Sequence, residues 1–408
     1  MTKRTVGLGE IARVFLKIGA MSYGGPAIMG IMQTEIQEKR EWIDKKEFVD
    51  GLALVNMLPG PGATQLGIYL GHTKAGLAGG VIAGLCFILP AFLIMLALAT
   101  AYVAFGALPS ARNAFYGIGP VVVGIYAVSV YRLGKATIKD AAQIMIALAA
   151  AAAMLLTPVG IVLLLLAAGA VGITLFLSPR IGIIALFVLA TLSCLYYGSD
   201  ILLAKWAVAA PHVASPPSAT PPSLWALGIF FLKVGAFTFG GGLSMLAFIQ
   251  DQVVDQFGWF TPREFVDGLA LGQLTPGPIL MLAAFVGFKV AGVSGAAVAG
   301  SAIFLPSFLM ILSIVPLLTK MKDLQWLKAF MRGVGPAVIG ALAVSLVQIA
   351  PHAAPDPFTW LLLALTVLLL LFRKTGPLPL MSGGAAIGLL SKSKVWERIQ
   401  DASKMLPI

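Results

Sequence analysis

The sequence is poor in charge: Asp, Glu, Lys and Arg make up 11% of 408 residues, against about 25% in soluble domains. An ordinary soluble domain is thereby excluded. Histidine occurs only three times, and His72, His212 and His352 stand at segment ends or in loops, too dispersed for a ligand cluster or an acid/base site. Two cysteines, Cys86 and Cys194, lie inside apolar segments without metal-ligand spacing, so neither a disulfide framework nor a metal centre is supported and packing is their expected role. No Ser/His/Asp grouping, Walker lysine loop or dinucleotide fingerprint stands out. An enzyme, such as a membrane phosphatase or lipid transferase, and an ATP-driven pump both lack a constellation, and no cofactor is expected.

What the chain does have is apolar length. Hydrophobic residues reach 59% and the mean hydropathy is +0.95. A bilayer core takes about 20 apolar residues per helix and requires each span to satisfy its own backbone, which leaves helices or closed barrels. Runs such as IVLLLLAAGAVGITLFL (161 to 177) and FTWLLLALTVLLLLF (358 to 372) lack the alternation of barrel strands. The fold class is therefore an all-α polytopic membrane protein. Its net charge of +11 comes from basic residues scattered between apolar segments, with no dense patch, so positive-inside topology explains them better than nucleic acid does. The start MTKR, followed by an apolar run without a small-x-small cleavage site, reads as a retained first helix.

Apolar segments fall near 8–33, 47–71, 76–105, 113–133, 140–156, 158–178 and 181–209, then near 223–250, 264–290, 292–319, 325–349, 357–373 and 377–391. This spacing predicts 12 or 13 transmembrane segments. Between the sets, PHVASPPSATPPS (211–223) cannot continue a helix and marks a linker. The sets are copies: EFVDGLAL stands at 47–54 and at 264–271, each followed by Pro-Gly-Pro, at 59–61 and 276–278. Lys17 matches Lys233, Trp42 matches Trp259, Pro90 matches Pro306, and GxGPxxxG recurs at 117–124 and 333–340. The expected division is 1–210 and 224–408 as two homologous repeats, with 211–223 between them.

Charge suggests that the repeats are inverted. Arg132, Lys135 and Lys139 follow the fourth segment of the first copy, whereas Lys320, Lys322 and Lys328 precede its counterpart. Arg373 and Lys374 likewise have no charged equivalents near Thr157. An unpaired seventh helix, 181–209, would supply the odd crossing. Two groups disagree on this count: Lys39, Arg40, Lys45 and Lys46, and the tail with Lys392, Lys394 and Arg398.

The chemistry-bearing stretches are FLKIGAMSYGGPA (15–27) and its echo FLKVGAFTFGGGL (231–243). Each glycine costs about 1 kcal/mol in helix propensity and an interior proline about 3. Helices broken at Gly24, Gly25 and Pro26, and at Gly240, Gly241 and Gly242, free backbone N–H groups that attract anions. Close helix packing through small residues is the bland alternative. Duplication favours the site, because LPGPG (58–62) and LTPGPI (274–279) add a second break to each half, and paired broken helices point to a transporter's midplane. Pro59, Pro61, Pro276 and Pro278 are candidate hinges beside Pro26 and Gly242, with Gly60 and Gly277 between them. Lys17 and Lys233 would each cost about 2.5–3.5 kcal/mol at a bilayer centre; they either snorkel or face an anion. Glu47, Asp50, Glu264 and Asp267 either stabilise a helix N-terminus or take part in ion coupling. Asn56, Gln65 and Gln273 either bond oxyanion oxygens or satisfy freed backbone.

Together these motifs resemble the chromate ion transporter family in its long form, with two homologous halves in one chain. The resemblance implies an inner-membrane protein that exports chromate, with sulfate as the similar competing dianion, and halves of opposite orientation. It falls on Phe15, Lys17, Gly19, Tyr23, Gly24, Gly25 and Pro26, and on Asp50, Pro59, Gly60 and Pro61; Gly242 departs where a proline would repeat Pro26. The expected substrate shell is Lys17, Ser22, Tyr23, Gly24, Gly25, Asn56, Gly60, Lys233, Thr238, Gly240, Gly241, Gln273 and Gly277. The expected partners are a chromate- or sulfate-type oxyanion, the lipid bilayer and, as an open option, a second copy in a homodimer; nucleic acid is not among them. A general sulfate exchanger or an anion channel is the alternative.

Overall fold

The computed structural model describes residues 6–22, 25–106, 108–157, 159–191, 222–239, 242–315, 324–373 and 375–391, with only the backbone path over 25–27. These residues are almost wholly helical and contain no strand. The first copy comprises α1 (Leu8–Met21), α2 (Gly25–Met32) running on as a π-helix (Gln33–Lys39), α3 (Lys45–Met57) and α4 (Gly62–Phe105). After these come α5 (Pro109–Thr137), α6 (Ala141–Leu156), α7 (Ile161–Phe176) and α8 (Pro179–Thr191). The second comprises α9 (Leu224–Ala236), α10 (Ser244–Ile249) with its π-helix (Gln250–Gln256), α11 (Pro262–Leu274) and α12 (Leu282–Ile314). It closes with α13 (Gln325–Ala353), α14 (Pro357–Phe372) and α15 (Pro377–Ser391). Residues 192–209 of the expected seventh helix and nearly all of the linker fall outside the described residues.

Short polar stretches start several helices: Asp44 and Asp140 accept from the N–H groups of Glu47 and Gln143 at 2.7 and 2.9 Å, and Thr261 and Glu264 form a capping box. Within the apolar segments, however, the chain turns back. Arg40 lies 3.3 Å from Glu10 and Lys17 lies 3.8 Å from Glu35, so α2 returns along α1. In the second copy Phe230 of α9 meets Phe257 and Trp259, with ring centroids 5.6 and 6.0 Å apart. The α3–α4 turn behaves alike: Tyr69 donates to the carbonyl of Glu47 at 3.3 Å, and Lys289 pairs with Glu264. At Gly76 and Gly292, with φ of 61° and 62°, the chain reverses once more before the long part of α4 and of α12.

The expectation of one retained helix over 8–33 is thus corrected to a hairpin. The segments 47–71, 223–250 and 264–290 fold in the same way. Composition reports that a segment avoids water, not how often it crosses, so apolar segments outnumber crossings. Among the described residues four helices are long and apolar enough to cross a membrane.

Equivalent long helices run antiparallel, as inversion requires. Gly84 of α4 packs on Phe308 of α12 while Gly300 packs on Phe92, and Thr137 and Gly119 of α5 face Gly335 and Ala353 of α13. Packing also divides the chain across its repeats. The helices α1–α3, α9 and α11 gather on the crossed pair α4 and α12, with α10 joined to them through α9; α6 and α7 pack on α13, while α14 and α15 pack on α5. One body of hairpins and one outer body result, each built from both copies.

These turns reconcile the charges. Because the first hairpins return, Lys39, Arg40, Lys45, Lys46 and Lys74 share one end of the molecule with Arg132, Lys135, Lys139, Lys328, Arg332 and Arg373. At the opposite end lie Arg112, Arg263 and Lys289. Lys320, Lys322, Lys374 and the basic tail lie outside the described residues.

Candidate functional site

Four chain reversals bring the helix breaks into the interior, where each tip meets one from the other copy. The Gly60 N–H donates to the Thr238 carbonyl at 2.5 Å, and the Gly277 N–H donates to the Ser22 carbonyl at 2.6 Å. Gly60, Gly242 and Gly277 hold φ of 123°, 100° and 92°, which glycine adopts at no steric cost. Proline fixes φ near −65°, so position 242 excludes the proline that would repeat Pro26. The second copy departs there because its turn has the opposite hand.

Around the tips the interior is polar. Ser22, Thr64, Gln65 and Ser307 have no exposed surface and Thr238 has 1%. Gln65 Nε2 donates to the Pro59 carbonyl at 2.5 Å, and Thr238 Oγ1 donates to the Val234 carbonyl at 2.6 Å. Ser22 Oγ, Thr64 Oγ1, Gln65 Oε1 and Ser307 Oγ have no partner within the protein. A buried polar atom left unpaired costs about 1–3 kcal/mol, and natural proteins keep few of them. Three of them, on Thr64, Gln65 and Ser307, lie on the Gly60 side and the fourth, on Ser22, at the Gly277 junction, an arrangement able to receive a polar guest.

The remaining expected residues are spread more widely. Tyr23, Gly24, Gly240 and Gly241 lie outside the described residues, while Gly25 and Pro26 open α2. Pro61 stands as the N-cap of α4, and Pro276 is buried beside Gly277. Lys17 and Lys233 are exposed on the flanks of the hairpins, with the Lys17 side chain 57% exposed beside Glu35. Gln273 is half-buried near the end of α11. Glu47 and Asp50 are half-buried on α3, and Glu264 serves the capping box and Lys289. Asp267 is 7% exposed; it accepts from the Tyr102 hydroxyl at 2.8 Å and lies 3.7 Å from Arg263 Nε, tying the end of α4 to α11.

Asn56 is exposed and lines a cavity of about 500 Å³ together with Thr137, Lys139, Gln143, Lys328 and Arg332. Arg332 is held by Asp140 at 3.2 Å and lies over the Phe176 ring at 3.7 Å. The cavity separates α3 from the outer body at the basic end. At the other end α10 and α11 pack along α13 and α5, whereas α3 only skims α13. The hairpin body is closed against its surround on one side and parted from it on the other.

Sequence reasoning missed Thr64 and Ser307. Their signals are a polar pair, Thr64–Gln65, directly after Pro-Gly-Pro, and a hydroxyl directly after the repeated proline Pro306.

A family model described as "Chromate transporter" matches the chain twice, over residues 9–173 and 225–389. A protein of Cupriavidus metallidurans named "Chromate transport protein" is 36% identical over 394 residues, covering 96% of this chain and 94% of that one. A "Probable chromate transport protein" of Synechococcus elongatus is 35% identical, covering 87% of this chain and 88% of its own length. One from Pseudomonas aeruginosa, named "Chromate transport protein", is 32% identical, covering 84% and 82%. No solved structure matches.

Proposed function

The chain belongs to the chromate transporter family, and on that premise we propose that it is a secondary transporter moving chromate outward across the inner membrane, with sulfate as a competing dianion. The observation that supports this most is the reciprocal pair of tip bonds, Gly60 to Thr238 and Gly277 to Ser22, beside unpaired buried hydroxyls. Helix interruptions inside a membrane are tolerated where they are buried in protein or line a cavity, and corresponding interruptions in inverted repeats are where transporters hold their substrate.

By the positive-inside rule the basic end faces the cytoplasm. The cavity bearing Lys139, Lys328 and Arg332 then opens inward and concentrates anions ahead of the tips. Lys17 and Lys233 add to that field from the hairpin flanks and leave direct contact to the tip groups. Transport proceeds by shifting the hairpin body against the outer body, instead of one repeat against the other, because each body contains both repeats. Opening the far side means releasing α10 and α11 from α13 and α5 while α3 closes on α13. A negative-inside potential contributes about 2.3 kcal/mol per charge per 100 mV to anion exit, so a dianion can leave without ATP.

The test is flux of labelled chromate in proteoliposomes, with and without an imposed potential, and with sulfate or phosphate as competitor. Saturable flux competed by sulfate supports a carrier. Single-channel currents would replace it with an anion channel, and absence of flux above protein-free vesicles refutes transport.

A further inference from the structure

The two tip junctions are related by the repeat, yet their chemistry differs. In the register set by Gly71 and Gly287, each packed on its own α4 or α12 through Gly79 or Gly295, Thr64 corresponds to Leu280, Gln65 to Met281 and Ala91 to Ser307. Gly62 has no counterpart: PGPGATQ of the first copy is PGPILM in the second. Three polar differences, at Thr64, Gln65 and Ser307, fall on the Gly60 junction; on the Gly277 side Thr275 stands where the first copy has Leu58, but its hydroxyl is already bonded to the Leu271 carbonyl. A Cβ on Gly60 would overlap Gln65 Nε2 and stand 2.7 Å from Ser307 Oγ, so both groups line that glycine. A Cβ on Gly277 would stand 3.0 Å from the Ala91 methyl, and one on Gly242 would stand 2.6 Å from Leu280 Cδ1.

The backbone differs in the same sense. In the second copy the loss of one residue tightens the start of α12 into a 3-10 turn, Ile279–Met281, in which the N–H groups of Met281 and Leu282 bond the carbonyls just before them. In the first copy α4 begins directly as an α-helix at Gly62, with no side chain capping it and its whole first turn buried. An α-helix leaves its first N–H groups without intrahelical partners, and with the helix dipole these favour an anion. Thr64 Oγ1 and Ser307 Oγ, fully buried and unpartnered, stand beside that helix start. Gln65 keeps a second N–H besides the one given to Pro59, and its Oε1 is unpartnered. Such an amide can serve a fully ionised oxyanion through the N–H or a singly protonated one through the oxygen.

We propose that the tetrahedral oxyanion binds at one junction only, the start of α4, where Thr64, Gln65 and Ser307 contact it, while the sister junction of Gly277, Ala91, Leu280 and Met281, which keeps one unpartnered hydroxyl, Ser22, is a pivot. This rests on the transport reading above and fixes which of two quasi-equivalent places holds the substrate. Thr64 and Ser307 also differ from the tip residues in that each can lose its hydroxyl without breaking any bond that holds the fold.

The test uses the full chain in detergent and in proteoliposomes, with Ser307→Ala and Gln65→Met, singly and combined, each giving the residue type that the sister junction carries. Ala91→Ser is the control on the pivot side. Direct binding of labelled chromate and labelled sulfate is measured alongside thermal unfolding without oxyanion. Expected is at least tenfold weaker binding of both oxyanions in the double variant, with Ser307→Ala unfolding at the same or a higher temperature than wild type. A merely structural serine would lower that temperature. Binding within twofold of wild type is expected for Ala91→Ser. Unchanged affinity in the double variant, or an equal loss in Ala91→Ser, overturns the one-sided site even where chromate flux is normal. Wild-type protein that binds sulfate but not chromate, with the same loss in the variants, supports the site and removes chromate from the function; binding of neither overturns both.

Discussion

Replacing Gly60 by alanine probes the junction through a single methyl group. At φ 123° an L-residue is outside the regions open to it, a strain of about 1–3 kcal/mol. The new Cβ would overlap Gln65 Nε2 and press on Ser307 Oγ at 2.7 Å; inserting a methyl into a close-packed interior adds about 1–3 kcal/mol. Relief requires moving Gln65 off the Pro59 carbonyl or Gly60 off the Thr238 carbonyl, each bond worth about 1 kcal/mol net. The total is about 3–7 kcal/mol, concentrated where the substrate is proposed to sit. Gly76→Ala is the matched control: its φ of 61° with ψ of −153° is also a backbone region kept for glycine, but a Cβ there meets nothing within 4 Å, leaving only the backbone strain of about 1–3 kcal/mol. Thermal unfolding in detergent and chromate flux in proteoliposomes should separate the two. Gly60→Ala is expected to lower the unfolding temperature further than Gly76→Ala does and to reduce flux at least tenfold, with the flux of Gly76→Ala near wild type. Indistinguishable behaviour of the two variants would refute the packing at the tip and the role drawn from it.

Gly235→Val should prevent folding, since even a Cβ at Gly235 overlaps the Ile303 carbonyl of α12; loss of a monodisperse peak in gel filtration checks it. Tyr102→Phe removes the donor to Asp267 and should cost about 1–3 kcal/mol, read as a lower unfolding temperature that a remote Tyr→Phe does not reproduce. Cysteines at Asn56 and Lys328, both lining the basic cavity, one on α3 and one on α13, should arrest flux when joined by a bifunctional reagent and restore it on reduction; undiminished flux in the joined protein would show that α3 need not close on α13. Lys17→Ala with Lys233→Ala should change stability by less than about 1 kcal/mol, as surface ion pairs are weak, while lowering flux severalfold. Unchanged flux would remove the lysines from the mechanism.

The breaks were legible in the sequence because glycine and proline act on the backbone of their own residue. SYGGP, TFGGG and the two Pro-Gly-Pro stretches interrupt helices wherever they are placed. The repeat and its inversion were legible too, the latter through Arg132, Lys135 and Lys139. Hairpin and span, by contrast, share one composition, and only pairs such as Glu10 with Arg40 distinguish them. The exchange of α6 and α7 onto α13 depends on distant surfaces that no local pattern encodes. Lys17 drew attention as a charge in an apolar run, yet it is exposed beside Glu35, whereas Ser307, inconspicuous in its own helix, is buried at the junction. Charge is conspicuous in a sequence, while burial is a property of the assembled fold.

The claim that the breaks meet to hold one oxyanion is tested most directly by locating chromium. Crystals grown with chromate and measured at the chromium absorption edge should show one anomalous peak inside the protein, within hydrogen-bonding reach of Thr64 and Ser307 at the start of α4. A peak confined to Lys17, Lys233 or the basic cavity, or one at Gly277 and Ala91, would contradict it.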